Sequence, residues 1–250
     1  MQDRREPVAI GRFPLSGALT NLEDSTMNAA TAVIVFDVNE TLSDMLPMES
    51  RFVEVGAPGY LAHIWFAALL RDGFALAASG GSAKFSVIGT EMLHHLFRGV
   101  ALTCTLDEAV SHVLEGLSTL KLHPDVADGV RALKDSGYRL ATLSNGSARL
   151  AQAMLTEAGI RDNFDTLLTV EDAPAWKPVG SAYHYAAKAL GVQTAEMLLV
   201  AVHPWDTHGA AQAGLRTAWI NRGDAPYPSY FAQPDDTGPT LHELAARLNA

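Results

Sequence analysis

The stretch VIVFDVNETLSD, Val33–Asp44, decides how the rest of the chain is interpreted. Four apolar residues end at Asp37, and the sequence then turns through Val-Asn-Glu-Thr instead of continuing as a strand. A short, wholly apolar run of this kind is typical of a strand that is buried on both faces of a sheet. A carboxylate at the end of such a strand is unusual in a protein interior. Asp37 is therefore the first candidate for a functional residue.

Two different patterns follow this stretch. The pattern over residues 45–121 predicts helices. Apolar residues recur there at three- and four-residue spacing in two segments, HIWFAALLRDGFAL and FSVIGTEMLHHLFRG, which a turn-rich break, ASGGSAK, separates. From Pro124 onward, short β-rich segments alternate with amphipathic helices, which predicts βαβ units and a parallel sheet with right-handed crossovers. We expect a Rossmann-like α/β core (residues 27–44 and 122–250) with an inserted helical cap (45–121), preceded by a poorly ordered N-terminal extension (1–26).

The composition restricts the classes of function. Of the 250 residues, 48% are hydrophobic and 18% are charged, as in a globular protein. The formal net charge of -10 argues against a nucleic-acid partner, because phosphate contacts need clustered Lys and Arg, but a local cation can still bind a small anionic substrate. The single cysteine, Cys104, excludes an internal disulfide and suits a cytoplasmic protein. No apolar run looks long enough to span a membrane, so we expect no membrane partner, and a homodimer stays open.

Polar residues follow several predicted strands at the points where those strands end. Because ligands bind beyond the carboxyl ends of the strands in an open parallel sheet, these residues predict one shared site. They are Asp37 and Thr41 in the first loop, Ser144 and Asn145 after RLATL, Lys177 in EDAPAWKP, and His203, Trp205 and Asp206 after MLLVAV. Each has a structural alternative: Ser, Asn and Asp cap helices well, a tryptophan can pack in the core, and Lys177 can be a surface residue before a helix.

In these loops the sequence resembles the haloacid dehalogenase-like hydrolase superfamily. The resemblance includes a helical cap between the first and second motifs, and it implies that Asp37 is a nucleophile whose oxygen forms a covalent ester that water then cleaves. The matching motifs are FDVNETL (36–42), LSNGS (143–147), WKP (176–178) and HPWDTHGA (203–210).

Two positions separate the branches of this superfamily. Most members are phosphatases, with a general-acid aspartate where this chain has Asn39 and a magnesium-binding aspartate where it has Val202. Since a hard dication prefers several carboxylate oxygens, Asp37 and Asp206 facing a valine make a poor metal site. The sequence is more similar to L-2-haloacid dehalogenases, which implies no metal, no cofactor and a short 2-haloalkanoate as the small carboxylate substrate. A magnesium-dependent phosphate-monoester hydrolase and a weakened fold member that only binds a small anion remain alternatives.

The resemblance implies roles for the catalytic residues. Lys177 keeps Asp37 ionised by favouring its charged form, and Thr41 holds Asp37 in orientation. Asp206 positions or deprotonates the hydrolytic water. Glu40 is interpreted as a solvated turn residue.

It also implies roles in substrate binding. Ser144 binds the substrate carboxylate through charge-assisted hydrogen bonds, while Asn145 and the Trp205 ring edge face the departing halide. Tyr183, six residues after Lys177, holds Lys177 or the substrate.

Three positions depart from the dehalogenase pattern. Phe66 stands on the first cap helix where an arginine for halide or carboxylate is usual, and Arg71 lies more than a helical turn away. Ala201 and His203 replace a serine and an asparagine near the water. We place Phe66 and His203 among the substrate-binding candidates, and we expect His203 to act as a water-orienting base because its unperturbed pKa suits neutral pH.

Overall fold

A computed structural model describes residues 31–249, and the predicted N-terminal extension lies outside them. Within this range six strands form a single parallel sheet in the order β3-β2-β1-β4-β5-β6. The predicted Rossmann-like parallel sheet is therefore confirmed. The strands are β1 (Val33–Phe36), β2 (Arg139–Ser144), β3 (Thr166–Thr169), β4 (Met197–Ala201), β5 (Arg216–Ile220) and β6 (Asp236–Gly238).

Helices both fill the segment between β1 and β2 and connect the later strands. We refer to the first four helices and their connections as the helical insertion. It contains α1 (Met48–Glu54), α2 (Leu61–Ala78), α3 (Phe85–Leu96) and α4 (Leu106–Gly116), and the later helices are α5 (Val126–Asp135), α6 (Ala148–Glu157), α7 (Gly180–Leu190), α8 (Pro204–Gln212) and α9 (Leu241–Leu248). The insertion occupies the segment that the apolar spacing marked as helical, while the domain boundaries at residues 44 and 122 stay a prediction.

Strand β1 lies in the middle of the sheet and is buried on both faces. Val33 and Val35 pack into one apolar cluster, and Ile34 and Phe36 pack into the cluster on the other side. Successive side chains of a strand point to opposite faces, so a strand covered on both sides must be apolar at every position. The uninterrupted run VIVF thus places the end of β1 at the centre of the sheet edge.

The order of the strands reverses beside β1. Strand β2 pairs with one edge of β1 and β4 with the other, with Phe36 in register with Val200. The backbone N–H of Asp37 extends the second pairing by donating to the Val200 carbonyl at 3.0 Å. A reversal of this kind leaves a crevice beyond the carboxyl ends of two neighbouring strands, and the loops after β1 and β4 line that crevice.

The helical insertion packs on the loops that follow β3 and β4. The Trp176 ring stacks on Phe85 with centroids 6.3 Å apart, and its indole N–H donates to the Ala83 carbonyl at 3.0 Å. Phe74 meets the Trp205 ring edge-on at 4.8 Å. Aromatic contacts of this size contribute both apolar burial and a defined geometry. The insertion is therefore held against the carboxyl-end loops of the sheet.

Helix α2 corrects one expectation from the sequence. Its 18 residues have a mean hydropathy of 1.3, so by length and composition it could cross a membrane, although no segment was expected to reach that length. Trp65, Leu69 and Gly73 on this helix are buried within the protein. A single helix of this kind is weak evidence for a membrane span, because core helices of soluble proteins pass the same test.

The contact between α2 and the Trp176 ring gives a stability prediction. A methyl group at Gly73 would overlap the ring of Trp176, which Phe85 and the Ala83 carbonyl hold in place. Overpacking a core costs about 1–3 kcal/mol. Alanine in a helix interior is favoured over glycine by only about 1 kcal/mol. Gly73→Ala should therefore lower the free energy of unfolding, as measured by urea denaturation.

Gly223→Ala is the control for this substitution, because Gly223 has open space around it. It should leave the urea midpoint close to that of the wild type. A Gly73→Ala protein more stable than the wild type would contradict the packing described for Trp176.

Candidate active site

A buried ammonium group joins two buried carboxylates at the centre of the crevice. Lys177 Nζ lies 2.9 Å from Asp37 Oδ1 and 2.5 Å from Asp206 Oδ2, and the Lys177 side chain is inaccessible to solvent. Burial alone would lower the pKa of Lys177, but the charges of Asp206 and Asp37 outweigh it and raise that pKa. Lys177 is therefore a cation at neutral pH while both aspartates are ionised.

Asp37 is held in its ionised form. Burial favours the neutral carboxyl group, but the charge of Lys177 and the hydrogen bond and charge of His203 outweigh burial and hold the pKa of Asp37 well below its usual range. Only 5% of the Asp37 side chain is exposed. The end of β1 thus carries an anionic carboxylate in a largely water-excluded setting.

Thr41 contacts the same carboxylate from within the β1 loop. Its hydroxyl accepts a hydrogen bond from the Val202 N–H at 3.1 Å and donates to Asp37 Oδ2 at 2.8 Å. Because the Val202 N–H takes a lone pair of the hydroxyl oxygen, the hydroxyl hydrogen is directed toward Asp37. This is the contact that the predicted orienting role of Thr41 requires.

Asp206 lies in the first turn of α8, which begins at Pro204 and not near His208 as an N-cap role for Asp206 would need. The hydroxyl of Tyr183 donates to Asp206 Oδ1 at 2.7 Å. Burial and the nearby charge of Asp37 outweigh Lys177 and raise the pKa of Asp206. Tyr183 was expected to hold Lys177 or the substrate, but its fully buried ring brings the hydroxyl to Asp206 instead.

Asn145 and Ser144 make contacts that the sequence did not predict. The Asn145 amide accepts from the Lys177 backbone N–H at 3.0 Å and donates to the Lys177 carbonyl at 3.1 Å. It therefore fixes the backbone that presents Lys177. Its predicted contact with the departing halide stays a prediction. The Ser144 hydroxyl accepts from the Gly146 N–H at 2.9 Å, which orders the loop after β2. Its predicted contact with a substrate carboxylate stays a prediction.

His203 bridges two acidic residues. Its Nδ1 lies 3.2 Å from Asp37 Oδ2 and its Nε2 lies 2.7 Å from Glu40 Oε2. Burial alone would lower the pKa of His203, but its hydrogen bonds to Asp37 and Glu40 raise it to about 9. The ring is therefore protonated at neutral pH while Asp37 is ionised. The role of His203 as a water-orienting base stays a prediction.

Glu40 belongs to the site, although the sequence interpretation left it as a solvated turn residue. Its backbone has a φ of 61°, in the left-handed region that is uncommon for residues other than glycine. Its partner His203 lies 163 positions later in the chain. The only local signal was its place between Asp37 and Thr41, so neither the turn conformation nor the partner could be read from the pattern.

Aromatic rings cover this polar cluster. The Trp205 ring stacks on His203 at 5.0 Å and lies 6.0 Å from Lys177 Nζ. Phe66, from α2, lies 6.4 Å from the His203 ring. Phe66 and Trp205 thus lie at the site, and their substrate-binding role stays a prediction. Arg71 is not, because its side chain is 69% exposed and paired with Asp72.

The site fits a magnesium ion poorly. Among residues 31–249, no group of three or more His, Cys, Asp and Glu side chains is placed to hold a metal ion. The Lys177 ammonium already contacts both Asp37 and Asp206, and Val202 contributes no oxygen ligand from its side chain. The expectation of a metal-free site stays a prediction.

Several known proteins similar to this chain are dehalogenases. A model of the haloacid dehalogenase-like hydrolase family matches residues 31–214. Haloacetate dehalogenase H-2 of Moraxella sp. (strain B) is 30% identical over 214 residues, covering 84% of this chain and 95% of the relative. The (S)-2-haloacid dehalogenase of Pseudomonas sp. (strain YL) is 40% identical over 118 residues, 46% of this chain and 51% of the relative. A crystal structure of a dehalogenase with an intermediate complex superposes with a TM-score of 0.81 at 28% identity, covering 89% of this chain and 99% of that one.

The buried charge cluster predicts a pH-dependent loss of stability on removing Lys177. Taking one partner from a buried ion pair costs about 3–5 kcal/mol, so Lys177→Met should lower the free energy of unfolding by that amount at neutral pH. The pKa of Asp37 is depressed below its ordinary 3.8, so its stabilisation is present above that range and is lost as pH falls through it. The difference from the wild type should therefore shrink in acid, as followed by denaturant unfolding across pH.

Two further variants test the cause of that loss. Lys188→Met, on the exposed side of α7, should have little effect at any pH. Lys177→Met combined with Asp206→Asn should regain part of the lost stability, because one uncompensated buried charge is removed. A loss in Lys177→Met that is independent of pH would show that packing, not charge, dominates at this position.

Proposed function

This chain belongs to the haloacid dehalogenase-like hydrolase family, and we propose that it hydrolyses the carbon–halogen bond of a short 2-haloalkanoic acid through an ester on Asp37. The resemblance drawn from the loop motifs is confirmed, since curated relatives of the chain are (S)-2-haloacid and haloacetate dehalogenases. The observation that carries the proposal is the Asp37 carboxylate, which is kept anionic by Lys177 in a site that fits magnesium poorly.

The first step is a displacement at carbon. An oxygen of Asp37 attacks the α-carbon of the haloacid, a carbon–oxygen bond forms, and the halide leaves with the electrons of the carbon–halogen bond. Oδ1 is the better candidate, because Lys177 is its hydrogen-bond partner among the described residues whereas Oδ2 accepts from Thr41 and His203. The step consumes the negative charge of Asp37 and leaves a neutral ester.

The second step hydrolyses that ester. Water attacks the Asp37 carboxyl carbon and gives its proton to Asp206, whose raised pKa makes it a stronger base than an ordinary carboxylate. The bond between that carbon and Oδ1 then breaks, and the 2-hydroxy acid leaves with Oδ1. Lys177 Nζ, 2.9 Å from Oδ1, can donate a proton to this leaving oxygen. The second proton of the water passes from the new Asp37 carboxyl group to Lys177, which becomes a cation again. Asp37 thereby regains a carboxylate that contains one oxygen from water.

The leaving group explains why an asparagine suffices at position 39. A halide is a weak base and departs without a proton, whereas the alkoxide of a phosphate monoester needs a general acid. Asn39 cannot supply one, because its amide does not exchange a proton as a carboxyl group does. The phosphate-monoester and anion-binding alternatives are therefore less well supported than dehalogenation.

The substrate is the one partner that the site chemistry supports directly. A short carboxylate is opposite in charge to Lys177 and protonated His203, the two cations that pair with carboxylates at the site. The cytoplasmic location, the lack of a nucleic-acid or membrane partner and the open question of a homodimer all remain part of the proposal.

A paired assay tests the reaction class. With a chelator present, the protein should release halide from 2-chloropropionate and from a haloacetate, because no step uses a metal ion. With magnesium and an aryl phosphate, it should release no phosphate. Magnesium-dependent phosphate release without halide release would identify a phosphatase, and binding of haloacid without either product would identify an anion-binding protein.

The nucleophile is tested by Asp37→Asn. A neutral amide cannot displace halide, so this variant should lose turnover by at least about 10³-fold while it keeps the fold, which circular dichroism checks. Asp172→Asn, at an exposed position in the loop before Lys177, should turn over as the wild type does. Near-normal halide release by Asp37→Asn would contradict the assignment.

A further inference from the structure

We propose that His203 and Thr41 form an oxyanion hole for Oδ2 of Asp37 during hydrolysis of the ester, and that Glu40 positions His203 for this role. The inference rests on the proposed function, since it concerns the second step of that reaction. It assigns a hydrogen-bond-donating role to a histidine that the sequence interpretation took for a water-orienting base. It assigns a positioning role to a glutamate that the same interpretation left as a solvated turn residue.

The two carboxylate oxygens of Asp37 have different surroundings. Oδ1 faces the Lys177 ammonium at 2.9 Å, whereas Oδ2 lies 2.8 Å from the Thr41 hydroxyl and 3.2 Å from His203 Nδ1. If Oδ1 becomes the ester oxygen, Oδ2 is the carbonyl oxygen of the ester. Attack of water then places the new negative charge on Oδ2, where two donors are already in place.

Each donor is fixed by a contact on its far side. The Val202 N–H occupies the Thr41 oxygen, which leaves the hydroxyl hydrogen for Asp37. Both ring nitrogens of His203 face carboxylates, Asp37 on one side and Glu40 on the other. A neutral ring would direct a lone pair at one of these carboxylates, so the contacts favour a ring that donates from both nitrogens.

The surroundings of His203 strengthen the hydrogen bonds that a protonated ring donates. The ring lies between Trp205, 5.0 Å away, and Phe66, 6.4 Å away, and only 13% of its side chain is exposed. Hydrogen bonds to ionised groups are stronger than neutral ones, and they gain further where water is excluded. The pKa of about 9 for His203 belongs to the resting site, where Asp37 and Glu40 both raise it, and Glu40 remains its partner once Asp37 is an ester.

A charged donor at this place affects the two steps in opposite directions. Alkylation removes the negative charge of Asp37, so the His203 cation stabilises the reactant carboxylate more than the transition state. Hydrolysis restores negative charge at Oδ2, so the same cation stabilises that transition state more than the neutral ester. Only interactions that are stronger in the transition state accelerate a step, so His203 accelerates hydrolysis and not halide release.

Glu40 places the ring for this role. Its carboxylate lies 2.7 Å from His203 Nε2, and its left-handed backbone turns the side chain back toward the site. The Glu40 side chain is 35% exposed, so its charge is partly screened and its effect on His203 is smaller than that of Asp37. Glu40 acts through His203 and does not contact the reacting oxygen.

Rapid-quench kinetics on the full chain separate the two steps. Halide release in the first turnover reports alkylation, and the mass of the intact protein reports the ester on Asp37. His203→Leu removes both ring N–H groups and should slow ester hydrolysis by about 10²–10³-fold, the cost of one oxyanion-hole donor. The halide burst should be at least as fast as in the wild type, and the ester should accumulate. His203→Asn, which keeps a neutral donor near the Nδ1 position, should fall between the two.

The pH dependence distinguishes a donor from a base. If His203 donates, the rate of ester hydrolysis falls as pH rises and the ring loses its proton, and Glu40→Gln shifts this fall to lower pH. If His203 accepts a proton, the rate rises with pH instead. The titratable and charged groups that face the ring or share its surface groove are Asp37, Glu40, Asp44, His63, His123 and Arg222. His63→Leu is the matched control, because His63 lines the groove without contacting Asp37.

The outcomes decide between the two proposals. Ester accumulation in His203→Leu, with a fast halide burst and normal kinetics in His63→Leu, supports the oxyanion hole. A slower burst without accumulated ester, or a hydrolysis rate that rises with pH only when His203 is present, overturns it while the dehalogenase function stands. A wild-type protein that forms no ester on Asp37 with any haloacid overturns both.

Discussion

The contact of one buried lysine with two buried aspartates is the constraint on which the rest of the site depends. Transferring three charges from water is costly, and the attraction among them compensates only when the geometry is good and the remaining hydrogen bonds are made. The structure meets this condition with neighbouring polar groups: Tyr183 donates to Asp206, and Asn145 holds the backbone of Lys177 from both sides. These contacts join the ends of β1, β2 and β4 to the start of α7. The contacts of Lys177 with the two aspartates therefore both stabilise the loops around the crevice and keep Asp37 ionised.

That arrangement also explains how one pair of carboxylates can serve two steps. Lys177 keeps Asp37 anionic, while burial and the charge of Asp37 raise the pKa of Asp206. Groups whose environments move their pKa values apart are suited to different roles, here those of the proposed nucleophile and the proposed base. When Asp37 becomes a neutral ester, Lys177 and His203 each lose one anionic neighbour. Lys177 and His203, which kept Asp37 ionised, can then stabilise the negative charge that develops as water attacks the ester.

The sequence predicted the fold because its signals were local. The run Val33–Phe36 is typical of a strand buried on both faces, and the alternation after Pro124 implied a parallel sheet whose carboxyl ends share a site. Asp37, Lys177 and Asp206 follow from their places at strand ends, and the structure brings these three together. The charge state and contacts of the site residues could not be predicted in this way.

Those features depend on pairs that are distant in the chain and on backbone conformation. Glu40 reaches His203 through a left-handed turn, and the resulting contacts reverse the protonation expected of a free histidine. Asn145 contacts the backbone of Lys177, and Tyr183 reaches Asp206, one helix away. Residue types at strand ends identify the participants in such a site. Which hydrogen bonds they make depends on distances of a few ångströms that only the folded chain defines.

The central claim is that Asp37 attacks the substrate and that water attacks Asp37. A single turnover with protein in excess over a 2-haloacid, in water labelled with heavy oxygen, tests it most directly by mass spectrometry of the product and of the peptide that contains Asp37. The account predicts an unlabelled 2-hydroxy acid and one heavy oxygen in the Asp37 carboxylate. Label in the product of this first turnover, with none in the peptide, would mean that water attacks the substrate carbon directly and would contradict the account.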